Sequence, residues 1–430
     1  MQYNDTMTDA TDRKWFHEAR FGMFLHWGLY ALSGRGEWDM YQSRTPLREY
    51  DGLAAQFNPE KFDAREWARI AAGAGMRYMV FTARHHDGFC LYDSQVSDFT
   101  SVKCSPQRRD YVAEYVTACR EQGLKVGLYY SLMDWRFPGY FNYTSDPESA
   151  AAMRRQCHEQ VRELLTHYGK IDLLWYDGLW LNHDAETDRS GYCATFWRAQ
   201  ELEAMARALQ PGLLINNRSG VPADFSTPEG RVLPPEEKDR AWEACMTMGA
   251  AWGYVADPDP MLLTVPQLVK NLFDCAKDAG NYLLNGAVKP DGSIAGDAQR
   301  ALRAIGAWLK VNGKAIYDSE RLPLPRTDLI AGWTQAGGRC YGLLFALPAC
   351  GELVLPLMAA KPKSVRLLGS GTKLKISHAS NGRVVVSGFP KRVPVKPFPV
   401  LELEFGGEPR IIDESTNRAA WLDGTLPAPA

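Results

Sequence analysis

The chain has 430 residues, 45% hydrophobic and 23% charged, a balance that suits two or three domains with a sizeable buried core. Its net charge of −2 offers no field to attract nucleic acid or an anionic membrane, and no apolar run approaches the ~20 residues that span a bilayer. The nine Cys are dispersed with no C-x-x-C pair, so zinc and thioredoxin-like motifs have no support and a reducing compartment fits. The start, Met1-Gln2-Tyr3-Asn4-Asp5, lacks a basic stretch followed by an apolar one, so the expected location is cytoplasmic; a removed signal would leave a periplasmic or secreted location open.

Taken in order, β-rich runs occur at 21–25, 77–82, 125–130, 171–176 and 213–217, with weaker ones at 240–246 and 281–284. Amphipathic helical stretches lie between them at 64–72, 109–122, 148–167, 195–209, 265–278 and 297–310. The run Ile171-Asp172-Leu173-Leu174-Trp175-Tyr176 is apolar almost throughout, as expected of a parallel strand covered on both faces. Seven or eight strand–helix units over about 315 residues fit an α/β architecture, a (β/α)8-like TIM-type barrel, better than an open sheet. From residue 316 the pattern becomes short alternating runs at 340–346, 352–356, 364–368, 373–377, 383–387 and 400–405. Asn381-Gly382 between two of them signals a hairpin. The expected division is therefore a barrel over 1–315 and a C-terminal antiparallel β-sandwich over 316–430, with a frayed tail after Glu408. Of the 13 Trp, only Trp333 and Trp421 follow residue 316, so an aromatic-lined ligand cleft belongs to the barrel.

Catalytic groups in such a barrel sit at the C-terminal strand ends. Five successive runs end in polar or aromatic groups: Leu25-His26-Trp27-Gly28, Arg84-His85-His86-Asp87-Gly88, Tyr129-Tyr130-Ser131, Trp175-Tyr176-Asp177-Gly178 and Asn216-Asn217-Arg218. Each alone has an ordinary reading. An Asp before Gly is most often a turn residue, a lone His a satisfied core residue, and a Trp core filling. His85-His86 suggests a metal site, but neighbouring strand residues point to opposite faces, so the pair needs a bend to share one ion. The accumulation of such groups at five strand ends is what favours a site.

The motifs Phe21-Gly22-Met23-Phe24-Leu25-His26-Trp27-Gly28, Glu37-Trp38, His85-His86-Asp87-Gly88-Phe89, Gly127-Leu128-Tyr129-Tyr130-Ser131 and Trp175-Tyr176-Asp177-Gly178 occur in that order. Together with Trp242-Glu243, Trp252-Gly253-Tyr254 and Asn281-Tyr282-Leu283-Leu284-Asn285, they resemble glycoside hydrolase family 29, the retaining α-L-fucosidases, over roughly residues 13–315. The resemblance implies an exo-acting enzyme that removes terminal α-L-fucose from oligosaccharides or glycoconjugates by double displacement. It makes Asp177 the nucleophile and assigns sugar binding to His26, Glu37, Trp38, His85, His86, Tyr129 or Tyr130, Arg218 and Trp252. The segment from Asn217 to Glu229, on the loop after the fifth β-rich run, is similar to the one that carries the acid/base, which makes Glu229 that residue; Glu243, Glu236 and Glu237 remain alternatives. Arg84 stands where many relatives have Lys.

The implied substrate is a glycan or small fucoside. No cofactor, metal, nucleic acid or membrane is expected, and homo-oligomerisation is left open. Two other readings compete: a carbohydrate-binding protein on a decayed hydrolase fold, and a metal-dependent barrel hydrolase using His85, His86 and Asp177.

Overall fold

The apolar runs of the first part become parallel strands buried on both faces, and these strands position everything that follows. The structure is a computed structural model that describes residues 10–183, 191–236, 240–256, 263–322, 324, 326–356, 358, 360–379 and 383–407. Glu237, the Asn381-Gly382 turn and the tail from Glu408 lie outside the described residues. Two compact units are present, one within Met1–Leu263 and Tyr282–Arg303, the other within Thr264–Asn281 and Ala304–Ala430.

The first unit is built on eight strands: β1 (Phe21–His26), β2 (Tyr78–Arg84), β3 (Lys125–Ser131), β4 (Leu173–Asp177), β5 (Leu214–Ile215), β6 (Phe225–Ser226), β7 (Ala241–Thr247) and β8 (Asn281–Ala287). They form one sheet in the order β5-β4-β3-β2-β1-β8-β7-β6. A parallel bridge between Asn216 and Phe225 links its two outer strands, so the sheet is a nearly closed barrel. Phe24, Val80, Tyr129, Leu173, Trp175, Leu214, Phe225 and Leu283 pack together as its core. All six residues of β1 and all seven of β2 are buried, which explains why their sequences are apolar without alternation.

Caps define the helix starts. Asp63 accepts from the backbone N–H of Arg65 and Glu66 ahead of the helix Ala64–Gly73. Asp110 and Asp146 play the same part for Tyr111–Glu121 and Pro147–His167.

Besides several short helices between the strands, the structure differs from the expected elements in this unit in ways that bear on the site. The helix Ala10–Ala19 precedes β1 and was not anticipated. The stretch expected at 195–209 is two helices, Tyr192–Phe196 and Ala199–Leu209, because Arg198 takes a left-handed φ of 50° between them. The fifth strand stops at Ile215. Beyond it the Asn216 side chain, and not a backbone ladder, satisfies Tyr176: Asn216 Oδ1 accepts from Tyr176 N at 2.9 Å and Nδ2 donates to Tyr176 O at 2.9 Å. Finally, the two-residue β6 was not foreseen, and it changes the setting of Glu229. That residue follows the sixth strand, not the fifth. Its backbone bridges Cys245 of β7, through Gly230 N donating to Cys245 O at 3.0 Å and Cys245 N donating to Pro228 O at 3.1 Å.

The second unit contains β9 (Glu320–Arg321), β10 (Ile330–Ala336), β11 (Arg339–Leu344), β12 (Glu352–Val354), β13 (Ser364–Leu367), β14 (Lys375–His378), β15 (Val384–Ser387) and β16 (Val400–Glu404). They make two antiparallel sheets, β13-β16-β11-β10-β9 and β12-β15-β14. Trp333, Leu344, Leu353, Leu367, Val386, Leu401 and Leu403 form a shared core between them, which makes this a β-sandwich. Among the described residues no helix is long and apolar enough to cross a membrane.

Candidate active site

The C-terminal strand ends of the barrel enclose a small pocket of about 70 Å³. It is lined by Phe24, His26, Glu37, Trp38, His85, His86, Tyr129, Trp175, Asp177, Trp180, Arg218, Glu229 and Trp252. Asp177 is the last residue of β4, and Gly178 turns the chain away immediately after it. Gly178 has φ +71°, and a Cβ there would lie 2.9 Å from Ser131 Oγ, so the turn requires glycine.

Two donors hold the Asp177 carboxylate. Tyr129 Oη donates to Oδ2 at 2.8 Å and Arg218 Nη1 donates to Oδ1 at 3.0 Å. Burial, followed by the charge of Asp177, keeps the Tyr129 phenol far above its usual range, so it stays a proton donor to the carboxylate. Arg218 also donates through Nη2 to Glu229 Oε2 at 2.7 Å and through Nε to Thr227 Oγ1 at 2.9 Å, and its guanidinium lies 4.5 Å from the Trp175 ring centre. One guanidinium therefore joins the two carboxyl groups. Glu229 Oε1 accepts from Trp252 Nε1 at 3.1 Å, and its side chain is 46% exposed, so it sits at the pocket mouth.

The three histidines are buried and uncharged near neutral pH. Burial is the largest cause for each: it pushes His26 down to about 4, with Asn285 opposing, while for His85 and His86 the neighbouring imidazoles and the charge of Arg84 add to it. Their tautomers follow from their partners. Asn285 uses Nδ2 to donate to Trp252 O at 2.7 Å, so its Oδ1, 3.0 Å from His26 Nδ1, receives the imidazole N–H. Ser131 Oγ donates to Met133 O at 3.0 Å, so His86 Nδ1 donates to that hydroxyl at 2.7 Å. His26 and His86 are thus left with Nε2 as an acceptor, and His86 Nε2 lies 3.8 Å from Asp177 Oδ2. His85 Nδ1 is buried with no hydrogen-bond partner among the described residues. Glu37 accepts from Gly253 N at 2.7 Å; burial raises its pKa, and backbone N–H groups oppose the rise.

Placement of the expected residues is uneven. His26, Glu37, Trp38, His85, His86, Tyr129, Asp177, Arg218, Glu229 and Trp252 share the pocket, and Tyr130 does not. Strand alternation sends Tyr130 to the other face of β3, where its hydroxyl donates to Gln160 at 2.8 Å and its ring lies under Arg84. The bend that His85 and His86 need in order to face one space is present. β2 ends at Arg84, the chain then turns, and the two rings stand 4.0 Å apart in the same pocket. Beneath that turn Arg84 donates to Asp134 at 2.8 Å, and Gly88, at φ +77°, leaves room for the Asp134 carboxylate.

Phe24, Trp175 and Trp180 line the pocket but were not singled out. Phe24 and Trp175 stand two positions before His26 and Asp177, so period-two alternation would have revealed them. Trp180 follows the strand and carries no such signal. Among the described residues no group of three or more His, Cys, Asp or Glu is arranged to hold a metal ion.

The other acidic candidates lie elsewhere. Glu236 is exposed and outside the pocket lining. Glu243 is fully buried inside the barrel, where it accepts from Tyr78 Oη and, at 3.0 Å, from Trp175 Nε1. Burial pushes its carboxyl up to about 7, opposed by those two hydrogen bonds. The folded state thus holds this proton more tightly than the unfolded chain does. The resulting stability is fully present below about pH 4.5 and is lost as the pH rises through about 7. Glu243→Gln should remove that slope. Denaturant unfolding at pH 5 and pH 8 should show the wild type losing about 2–3 kcal/mol more than the variant over that interval. Identical pH dependence of the two proteins would overturn this.

Four similarities to known proteins bear on the site. The pattern of the family described as Alpha-L-fucosidase matches residues 1–314. The plasma alpha-L-fucosidase of Homo sapiens is 29% identical over 408 residues, covering 86% of this chain and 85% of its own. Among solved structures, alpha-L-fucosidase isoenzyme 1 from Paenibacillus thiaminolyticus is 34% identical with a TM-score of 0.81, over 92% of this chain and 98% of that one. An alpha-L-fucosidase of glycoside hydrolase family 29 from Bacteroides thetaiotaomicron, trapped as a covalent intermediate in complex with 2-fluoro-fucosyl fluoride, is 27% identical with a TM-score of 0.83, over 94% of this chain and 98% of that one.

Proposed function

The chain belongs to the α-L-fucosidase family of retaining glycoside hydrolases, and on that premise we propose that Asp177 is its nucleophile and Glu229 its acid/base. The observation that supports this most directly is the shared hold of Arg218 on both carboxyl groups inside one aromatic- and histidine-lined pocket. Retaining enzymes keep their two carboxyls about 5–5.5 Å apart, and a pair bridged by a single guanidinium suits that separation.

In the first step the Asp177 carboxylate attacks the anomeric carbon of the fucosyl unit. The glycosidic C–O bond breaks, and the leaving oxygen takes a proton from protonated Glu229. In the second step the Glu229 carboxylate takes a proton from water, the water oxygen bonds to the anomeric carbon, and the Asp177–carbon bond breaks. Two inversions return the α configuration. Tyr129 and Arg218 fix the carboxylate of Asp177 in one orientation before attack, which reduces the reorganisation needed in the transition state.

Recognition of the sugar follows from the lining. The free Nε2 of His26 and of His86 accept from hydroxyls, and a hydroxyl satisfies the unpartnered Nδ1 of His85. Trp38, Trp175 and Trp252 offer faces to the C–H surface and the methyl group. The direct test of the function is turnover of a chromogenic aryl α-L-fucoside, with the released fucose followed by NMR. Appearance of the α anomer first is the expected result, and β-fucose as the first product would overturn retention.

Because the histidines are assigned to hydroxyls, a strong chelator should leave fucoside turnover unchanged. Inhibition that only added divalent metal reverses would remove that assignment.

A further inference from the structure

Asn285, on β8, is buried and takes no part in the lining of the reaction pocket, yet both ends of its amide reach residues that do. Nδ2 donates to Trp252 O at 2.7 Å, and Oδ1 stands 3.0 Å from His26 Nδ1. A peptide carbonyl can only accept, so the contact with Trp252 decides which way the amide points and turns its oxygen to the imidazole. The same planar peptide unit carries Gly253 N, which donates to Glu37 at 2.7 Å. One peptide is thus gripped at both of its polar atoms, by Asn285 and by Glu37. The grip is close: a Cβ on Gly253 would lie 2.8 Å from Glu37 N. The first residue of that peptide is Trp252, whose indole donates to Glu229 Oε1 at 3.1 Å and whose ring lies 5.1 Å from that of His26. An apolar residue of similar size would fill this buried position as well, so the amide marks a polar task.

We infer that Asn285 is a positioning residue of the reaction: its oxygen commits His26 to presenting Nε2 as an acceptor, and its N–H holds the peptide that aims Trp252 at Glu229. The inference rests on the fucosidase reading. A single amide then ties the ring that receives a sugar hydroxyl to the indole that steadies the acid/base. The groups that face His26 set how firmly its neutral form is kept. Burial is the largest influence and favours the neutral ring; Asp177, at the end of β4, favours the charged one, and Arg218, beyond β5, opposes it. Tyr129 of β3 and His85 after β2 meet the ring edge-on, at 5.3 and 5.6 Å between centres. A neutral amide at position 285 leaves that balance on the neutral side, and a carboxylate in its place shifts it toward the charged ring.

The test is the pH profile of two variants in the full-length enzyme. Asn285→Asp matches the amide in size and keeps an acceptor for His26 Nδ1–H, but it adds a charge and has nothing to donate to Trp252 O. The charge raises the pH at which His26 takes up a proton, and the protonated ring turns a donor at Nε2 where the wild type presents an acceptor. That form grows as the pH falls, so the acid limb of kcat/KM for 4-nitrophenyl α-L-fucoside should move to higher pH by about one unit. Asn285→Leu adds no charge; it should lower kcat/KM about tenfold and leave the acid limb where the wild type has it. An unmoved limb in Asn285→Asp, or wild-type activity in Asn285→Leu, would overturn the inference. Should Asn285→Asp not fold, 15N NMR of the histidines in the wild type decides the matter. Near neutral pH His26 should carry its one proton on Nδ1, and a proton on Nε2 would overturn the inference. That measurement involves no turnover, and wild-type activity on the aryl fucoside tests the fucosidase reading separately.

Discussion

Replacing Asp177 by Gly should abolish fucoside hydrolysis while the protein keeps its fold. Glycosyl transfer to a nucleophile absent from the site has no route, so turnover should fall by at least about four orders of magnitude, more than ~5 kcal/mol of transition-state stabilisation. The side chain is at a strand end and not in the core, so its removal leaves no apolar cavity. What it does leave is Arg218 without one of its two carboxylates and Tyr129 without its acceptor, and Glu229 still balances the guanidinium. Azide, small enough for the vacated space, should restore part of the turnover of an activated aryl fucoside by attacking from the same face, giving a β-fucosyl azide. Retention of more than about a tenth of wild-type turnover, a loss below ~1.4 kcal/mol, would show that Asp177 is not the nucleophile.

Replacing Glu229 by Ala should separate substrates by their leaving groups. A sugar alcohol is a poor leaving group and needs the proton, so hydrolysis of natural fucosyl oligosaccharides should drop by about a thousandfold. An acidic phenol departs without help, so the glycosyl-enzyme should still form from such a fucoside. Its hydrolysis then lacks a base, and the intermediate should accumulate, visible as a burst of phenol and a mass increase on the intact protein. Equal and modest losses on both substrates would point to a binding role for Glu229 through its contacts with Arg218 and Trp252.

The parts legible in the sequence share a physical cause. Strands β1 to β4 announce themselves because parallel strands buried on both faces need continuous apolar runs, and Phe21–His26 and Tyr78–Arg84 are such runs. β6, with two residues, is too short to carry any period, so the sequence alone places Glu229 one strand too early. β10 carries no strand signal for a related reason. Ile330 to Thr334 are all buried in succession and include Gly332, so no alternation marks a sandwich strand there. Within the pocket, residues on strand ends were readable from motif and alternation. The choice between Tyr129 and Tyr130 was open until the register showed which one faces inward. Trp180 and the turn that brings His85 and His86 together depend on chain geometry beyond the strand, which no local pattern encodes.

The pairing of Glu229 with Cys245 has a consequence for how such an enzyme can diversify. The proposed acid/base is on a loop in sequence terms, yet its backbone is fastened to the scaffold on both sides of the residue, by Pro228 O and by Gly230 N. Among the described residues anchoring ends there: Arg231 is exposed. Insertions or deletions beyond Gly230 can therefore accumulate, reshaping what surrounds the leaving group, while the proton-transfer group keeps its address.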